Sequence, residues 1–190
     1  MADPYRSDRR WADRYIPQLK RIVADLLVAP APEAEDMQRN TDLIVLRAEA
    51  LRVACRVRRF RYLAEYPHEF TIRSGRPNGV ETELAKLLAG YGDYLVYAFA
   101  AHDEGSLAAW RVIDLRRFRL WFHLQTVERG QMPGTVLRND DGSSAFRAFD
   151  VRQMPANVVA REFGFEQELA AALARPEARA DWRLRQGARR

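Results

Sequence analysis

The stretch from Glu69 to Ala100 constrains the fold most, because it reads as a strand, a turn, a short helix and a second strand in close succession. Glu69, Thr71 and Arg73 alternate with Phe70 and Ile72, the period-two pattern of a strand with one polar and one apolar face. Asn78-Gly79 breaks the strand, and Val80, Leu84, Leu87 and Leu88 then recur at the spacing of a helix lying on a sheet. Gly90 is placed to stop that helix and Gly92 to release the chain into DYLVYAFA. Two strands joined by such a helix are expected to lie parallel in one sheet, since a parallel pair needs a crossover where an antiparallel pair can use a tight turn. The expectation is therefore a β-α-β unit. Its first strand carries a carboxylate, a hydroxyl and a guanidinium on one face, and its helix carries Glu81 and Glu83.

Upstream, Trp11, Tyr15, Leu19, Ile22, Val23, Leu26 and Leu27 fall on one stripe of an amphipathic helix over residues 8–28, with Pro17 kinking it or starting its better-ordered half. Pro30 and Pro32 end it, and Glu33, Glu35 and Asp36 read as a solvated face or an acidic first turn. TDLIVL (41–46) and LRVACRVRR (51–59) are spaced as a hairpin. In the second run Val53, Cys55 and Val57 share one face, so Cys55 is expected to be a small buried residue. Arg52, Ala54, Arg56 and Arg58 share the other, which either lines a groove for phosphates or is an exposed face. Phe60, Tyr62 and Tyr66 form an aromatic connection that covers the end of a core or stacks on bases.

Downstream, SLAAWRVIDL reads as a strand antiparallel to its predecessor, and Asp114 as the N-cap of a helix over 114–124. Residues 125–145 read as loops, AFRAFDV as a short edge strand, and NVVAREFGF and EQELAAALA as terminal helices. RPEARADWRLRQGARR has the composition of a basic tail. The expected organisation is a flexible segment 1–7, one domain over 8–174 with a core of 8–100 and an extension of 101–174, and a tail over 175–190. The fold class is α+β or α/β: a central mixed sheet flanked by helices, in the order αβββαβ, with C-terminal additions.

Composition narrows the chemistry. With 190 residues, 47% hydrophobic and 30% charged, the chain can bury one good core. No run approaches the roughly 18 apolar residues of a membrane span. MADPYRSDRRW has no apolar signal-peptide region and Cys55 is the only cysteine, so a reducing, cytoplasmic setting is expected. One Cys and three scattered His (His68, His102, His123) offer no ligand spacing, so any metal would sit on carboxylates, which favours Mg²⁺ or Mn²⁺. The net charge is +5, and Lys20 and Lys86 are the only lysines, so the positive charge is almost all arginine. Arginine suits bidentate phosphate recognition. It is also the residue a GC-rich genome supplies, and here it is interleaved with 26 acids.

Taken together, the order helix, strand, strand, strand, helix, strand is similar to the core of the PD-(D/E)XK nucleases, the restriction-endonuclease-like superfamily, over roughly residues 8–100. That family carries an acid, any residue and a lysine on its third strand, and here Thr71 falls where the acid belongs and Arg73 where the lysine belongs. Asp93-Tyr94-Leu95-Val96 matches the fourth strand. The family's lone aspartate usually opens the second strand, which here begins Leu51-Arg52, and the nearest candidate is Asp42, one strand earlier. The resemblance implies a metal-dependent nucleic-acid phosphodiesterase, with DNA as the expected partner. Asp42, Glu69 and Glu83 would hold Mg²⁺ or Mn²⁺, Arg73 would steady the phosphoryl oxygens, and Arg52, Arg56, Arg58 and Arg76 would contact the backbone. Two alternatives stand beside it: a non-catalytic nucleic-acid-binding protein on the same fold, and an assembly subunit that meets a protein partner through its C-terminal helices and tail.

Overall fold

The computed structural model describes residues 4–30, 43–45, 51–77, 79–139, 142 and 144–165. The chain divides into two compact units, Met1–Leu51 and Arg52–Arg190.

In the first unit the single helix expected from the stripe is two: α1 (Pro4–Asp13) and α2 (Ile16–Leu27). Pro17 lies in the first turn of α2, where a missing N–H costs no intrahelical bond. Tyr15, Leu19 and Ile22 are buried, as the stripe requires. β1 (Val28–Pro30) follows directly and pairs antiparallel with β2 (Leu43–Val45), Ala29 opposite Ile44. This overturns the hairpin between 41–46 and 51–59: the first of these runs pairs backwards along the chain, and the second belongs to another sheet.

The second unit runs in chain order through β3 (Val53–Arg58), α3 (Arg61–Glu65), β4 (Glu69–Gly75), α4 (Glu83–Leu88), β5 (Tyr94–Ala100), β6 (Leu107–Asp114), α5 (Leu115–Arg129), β7 (Thr135–Arg138), β8 (Ala145–Asp150) and β9 (Val159–Phe163). A mixed four-stranded sheet has the order β3-β5-β6-β9, and an antiparallel three-stranded sheet the order β4-β8-β7. The fold is thus α+β.

β5 has a parallel neighbour, as a crossover demands, but that neighbour is β3, with Cys55 opposite Val96. β4, expected to pair with β5, pairs instead with β8, with Phe70 opposite Phe149. The burial of the two strands explains the difference. Leu95 to Ala100 are buried without interruption, as in a strand covered on both faces, whereas β4 buries only Phe70 and Ile72 and keeps its alternate residues partly accessible. At the start of the parallel pair, Asp93 Oδ2 accepts from Arg52 N at 2.9 Å while Asp93 N donates to the Arg52 carbonyl at 2.8 Å, which fixes the register.

Between the two sheets lies an aromatic core. Leu115, Phe118, Trp121 and Phe122 form the inner face of α5 and meet Phe70, Phe149, Leu95, Phe99 and Ile113, with Leu84 and Leu87 of α4. Leu84 and Leu87 are buried as expected, while Val80 precedes α4 and is exposed. The end of α4 carries both bonds of a Schellman motif, Gly90 N to Leu87 O and Tyr91 N to Lys86 O, each at 3.1 Å, with Gly90 at φ 99°.

Asp114 caps α5 as expected, its Oδ1 accepting from Arg116 N at 2.9 Å and Arg117 N at 3.1 Å. Asp114→Ala is expected to lower stability by about 1 kcal/mol in urea unfolding, the usual cost of an unsatisfied first turn. Three readings near the C-terminus change. AFRAFDV is the middle strand of its sheet rather than an edge, because β7 forms within the stretch read as loop. The helix α5 itself extends five residues beyond the expected end, to Arg129. NVVAREFGF is a 3-10 turn (Ala156–Val158) followed by β9, which takes the free edge of β6. EQELAAALA and the basic tail lie outside the described residues.

Cys55 is exposed, not buried. It sits on β3, the edge strand of its sheet, and the opposite face of that strand turns toward the core. Burial nonetheless pushes the thiol above its usual pKa. Accessibility decides whether a reagent reaches the sulfur, and desolvation sets how much thiolate it finds. Alkylation by iodoacetamide at pH 8 should therefore go to completion in the folded protein, at a rate below that of the unfolded chain.

Candidate nucleic-acid interface

Register across the four-stranded sheet places Arg56, Tyr97, Arg111 and Glu162 side by side on one face. A polar row inside an apolar layer must find partners. Arg56 Nη1 donates to the Thr71 carbonyl at 2.9 Å, and Arg56 Nη2 pairs with Glu83 Oε2. Glu83 opens α4, whose start is set by Thr82, the Oγ1 of which accepts from Ala85 N at 3.2 Å. The Glu83 carboxylate also accepts from Arg73 N at 3.3 Å. The Thr71 hydroxyl lies 3.2 Å from the Tyr97 hydroxyl.

At the other end of the row Arg111 is 1% exposed, and its Nη2 donates to the Pro67 carbonyl at 2.7 Å and lies 3.6 Å from Glu162 Oε2. Its guanidinium covers the Phe165 ring at 3.8 Å. Burial pulls its pKa down to about 10, against the opposing pull of Glu162. It therefore remains a cation at neutral pH.

Two rings are each flanked by a pair of guanidinium groups. Arg58 lies 4.2 Å and Arg61 4.8 Å from the centre of Tyr62, and Arg61 Nη2 donates to the Tyr62 hydroxyl at 3.0 Å. Arg73 lies 5.4 Å and Arg56 5.9 Å from the centre of Phe146. Each contact gains from the ring quadrupole. Among the described residues no carboxylate pairs with Arg58 or Arg61.

The residues singled out from the sequence are only partly gathered here. Arg56, Arg73 and Glu83 converge, and Arg58 stands two residues along β3 from Arg56. Arg52 is exposed at the start of β3, and Arg76 is exposed just past the end of β4. Glu69 is at the far end of β4, opposite Asp150. It is four residues, about 13 Å at strand rise, from the Arg73 amide that Glu83 accepts. Glu69 and Glu83 thus do not fit one shared cation. Asp42 lies outside the described residues. Among the described residues no group of three His, Cys, Asp or Glu side chains is placed to hold a metal ion.

Tyr97, Arg111, Phe146 and Glu162 were not anticipated. The one available signal was Arg111 itself, a lone cation inside the apolar strand LAAWRVID. No family model, curated protein or solved structure matches this chain. No described helix is long and apolar enough to cross a membrane.

Proposed function

We propose that the protein binds the phosphodiester backbone of nucleic acid through the arginines that flank Tyr62 and Phe146. The observation that carries this reading is the pair of guanidinium groups held around Tyr62 with no carboxylate among the described residues to offset them. Two guanidinium groups lie 4.2 and 4.8 Å from one ring centre, and each presents a charged fork to which a backbone phosphate can bind. Contact with the ring restrains each guanidinium in advance, so less rotamer freedom is lost on binding. Around Phe146, Glu83 already occupies Arg56, which makes that group the weaker contributor.

The test is fluorescence anisotropy of the full chain with labelled single-stranded and duplex DNA across a salt series. Binding should weaken linearly in log–log form as salt rises. Arg58→Ala with Arg61→Ala should weaken it about tenfold or more at low salt and flatten the slope by about 1 to 2. Wild-type protein that shows no binding at about 50 mM salt, where backbone contacts are strong, would remove the reading.

A second reading, hydrolysis of the bound phosphodiester, takes its motive from the Glu83 carboxylate, which accepts from the main-chain amide of Arg73, on the strand where the resembled family has its acid and lysine. It requires a further carboxylate beside Glu83. Mg²⁺- or Mn²⁺-dependent cutting of DNA that stops in Glu83→Ala would establish it; cutting retained in that variant would end it.

A further inference from the structure

We propose that the cleft between the C-terminal end of α5 and the β7–β8 pair binds a small oxyanion, a carboxylate or a phosphate monoester, that carries a short apolar body. The cleft has a volume of about 390 Å³, within the usual range of small-molecule sites, and is lined by Arg129 and Arg147 together with Met132, Pro133, Gly134 and Val136. Gly130, at φ 66°, ends α5 and turns the chain toward β7. Gly134 lets the loop lie directly on β8, since a Cβ there would come within 2.6 Å of the Ala148 carbonyl oxygen. Val136 then falls opposite Arg147 in the register, so the two side chains share one face of the sheet. Arg147 Nη1 donates to the carbonyls of Met132, Pro133 and Gly134 at 3.0, 3.1 and 2.9 Å, which anchors the guanidinium before any ligand arrives.

Charge selects the ligand. Three carbonyls share the two hydrogens of Arg147 Nη1, while Nε is buried with no partner and Nη2 makes no hydrogen bond among the described residues. Among the described residues no carboxylate pairs with Arg147 or with Arg129, which is exposed at the end of α5. Glu128 precedes Arg129 but does not line the cleft, and Gln125 Nε2 holds its carboxylate at 2.8 Å. Two cations without a counter-charge in one concave site favour an anion, and guanidinium forks suit carboxylate and phosphate oxygens. Met132 and Val136, 52% and 48% exposed, offer apolar surface beside them, so an alkyl body on the anion adds burial. Arg147 and Phe146 project from opposite faces of β8, and Arg129 and Arg147 are not among the arginines flanking Tyr62 and Phe146. The inference therefore does not rest on nucleic-acid binding.

NMR titration of the full chain with hexyl phosphate, hexanoate, inorganic phosphate and hexylammonium is the test. Hexyl phosphate and hexanoate should shift the amide signals of Met132, Gly134, Val136 and Arg147 with dissociation constants on the order of 1 mM, the scale for ligands of this size. The tighter of the two identifies the headgroup. Inorganic phosphate, which lacks the apolar body, should bind about tenfold more weakly, and hexylammonium should leave those signals in place. Arg129→Gln should weaken hexyl phosphate about fivefold or more with circular dichroism unchanged. It is the deciding variant, because Arg147 also anchors the loop. Three results overturn the proposal: no shift of those signals at about 20 mM hexyl phosphate, shifts of equal size with hexylammonium, or unchanged affinity in Arg129→Gln, as expected of an arginine that serves only the negative end of α5.

Discussion

Phe149→Ala is expected to destabilise the protein by about 3 to 5 kcal/mol and to lower the melting temperature by on the order of 10 °C. Phe149 is fully buried on the middle strand of the three-stranded sheet. Its ring is centred 5.0 Å from Phe118, 5.4 Å from Phe70, 6.2 Å from Phe122 and 6.3 Å from Trp121. Truncation removes the apolar transfer energy of the ring and also the quadrupole contacts of four neighbours. Those neighbours come from a strand and a helix of separate layers, so they cannot all close on the void together. Phe149→Leu, which fills more of the space, should cost less than half as much. Equal losses for the two variants in guanidinium unfolding would mean that the aromatic cluster does not hold the sheets together.

Breaking the Arg56–Glu83 pair from one side should cost more than removing it from both. Arg56→Ala leaves the Glu83 carboxylate without its cation and the Thr71 carbonyl without its donor. The side chains are 19% and 30% exposed, so water recovers part of the loss. The expected cost is about 2 kcal/mol, below the 3 to 5 of a fully buried pair. Arg56→Met combined with Glu83→Gln keeps the volume, removes both charges and retains an acceptor for Arg73 N, and should cost about 1 kcal/mol or less. A double-mutant cycle reads the difference as a coupling energy. A coupling indistinguishable from zero would reduce the pair to surface decoration. Under the proposed function, Glu83→Gln alone should also tighten nucleic-acid binding, because it frees Arg56 for phosphate.

The contrast between β4 and β5 shows what periodicity carried and where it stopped. Both were legible as strands, one by alternation and one as an unbroken apolar run. Those same patterns distinguished a strand with one accessible face from a strand covered on both sides, and so argued against placing them in one sheet. The rule that a helix between two strands makes them parallel neighbours overrode that signal. What decided the pairing was a partner about 75 residues away in sequence: β8 offers Phe149 to stack on Phe70, and no local pattern announces it.

β3 teaches the same lesson at the level of side chains. Hydropathy assigned Cys55 to the interior and the arginine row to a phosphate groove or an exposed face. Arg56 is part-buried because Glu83 and the Thr71 carbonyl supply it with a charge partner and an acceptor, and Arg58 lies on the Tyr62 ring, while Arg52 at the start of the strand stays exposed. A cation is admitted to an interior only when such groups await it.

By itself the amino-acid sequence determined the element types in much of the chain, the helix stop at Gly90, the cap at Asp114, and the arginine-dominated charge, because each depends on residues within a turn or two of one another. Only the tertiary structure decided which strands pair, that Arg56, Arg73 and Glu83 meet while Glu69 stands apart, and that Arg129 and Arg147 line one cleft. Those outcomes depend on contacts between residues tens of positions apart, and it is side-chain complementarity across the folded layers, not local preference, that selects them.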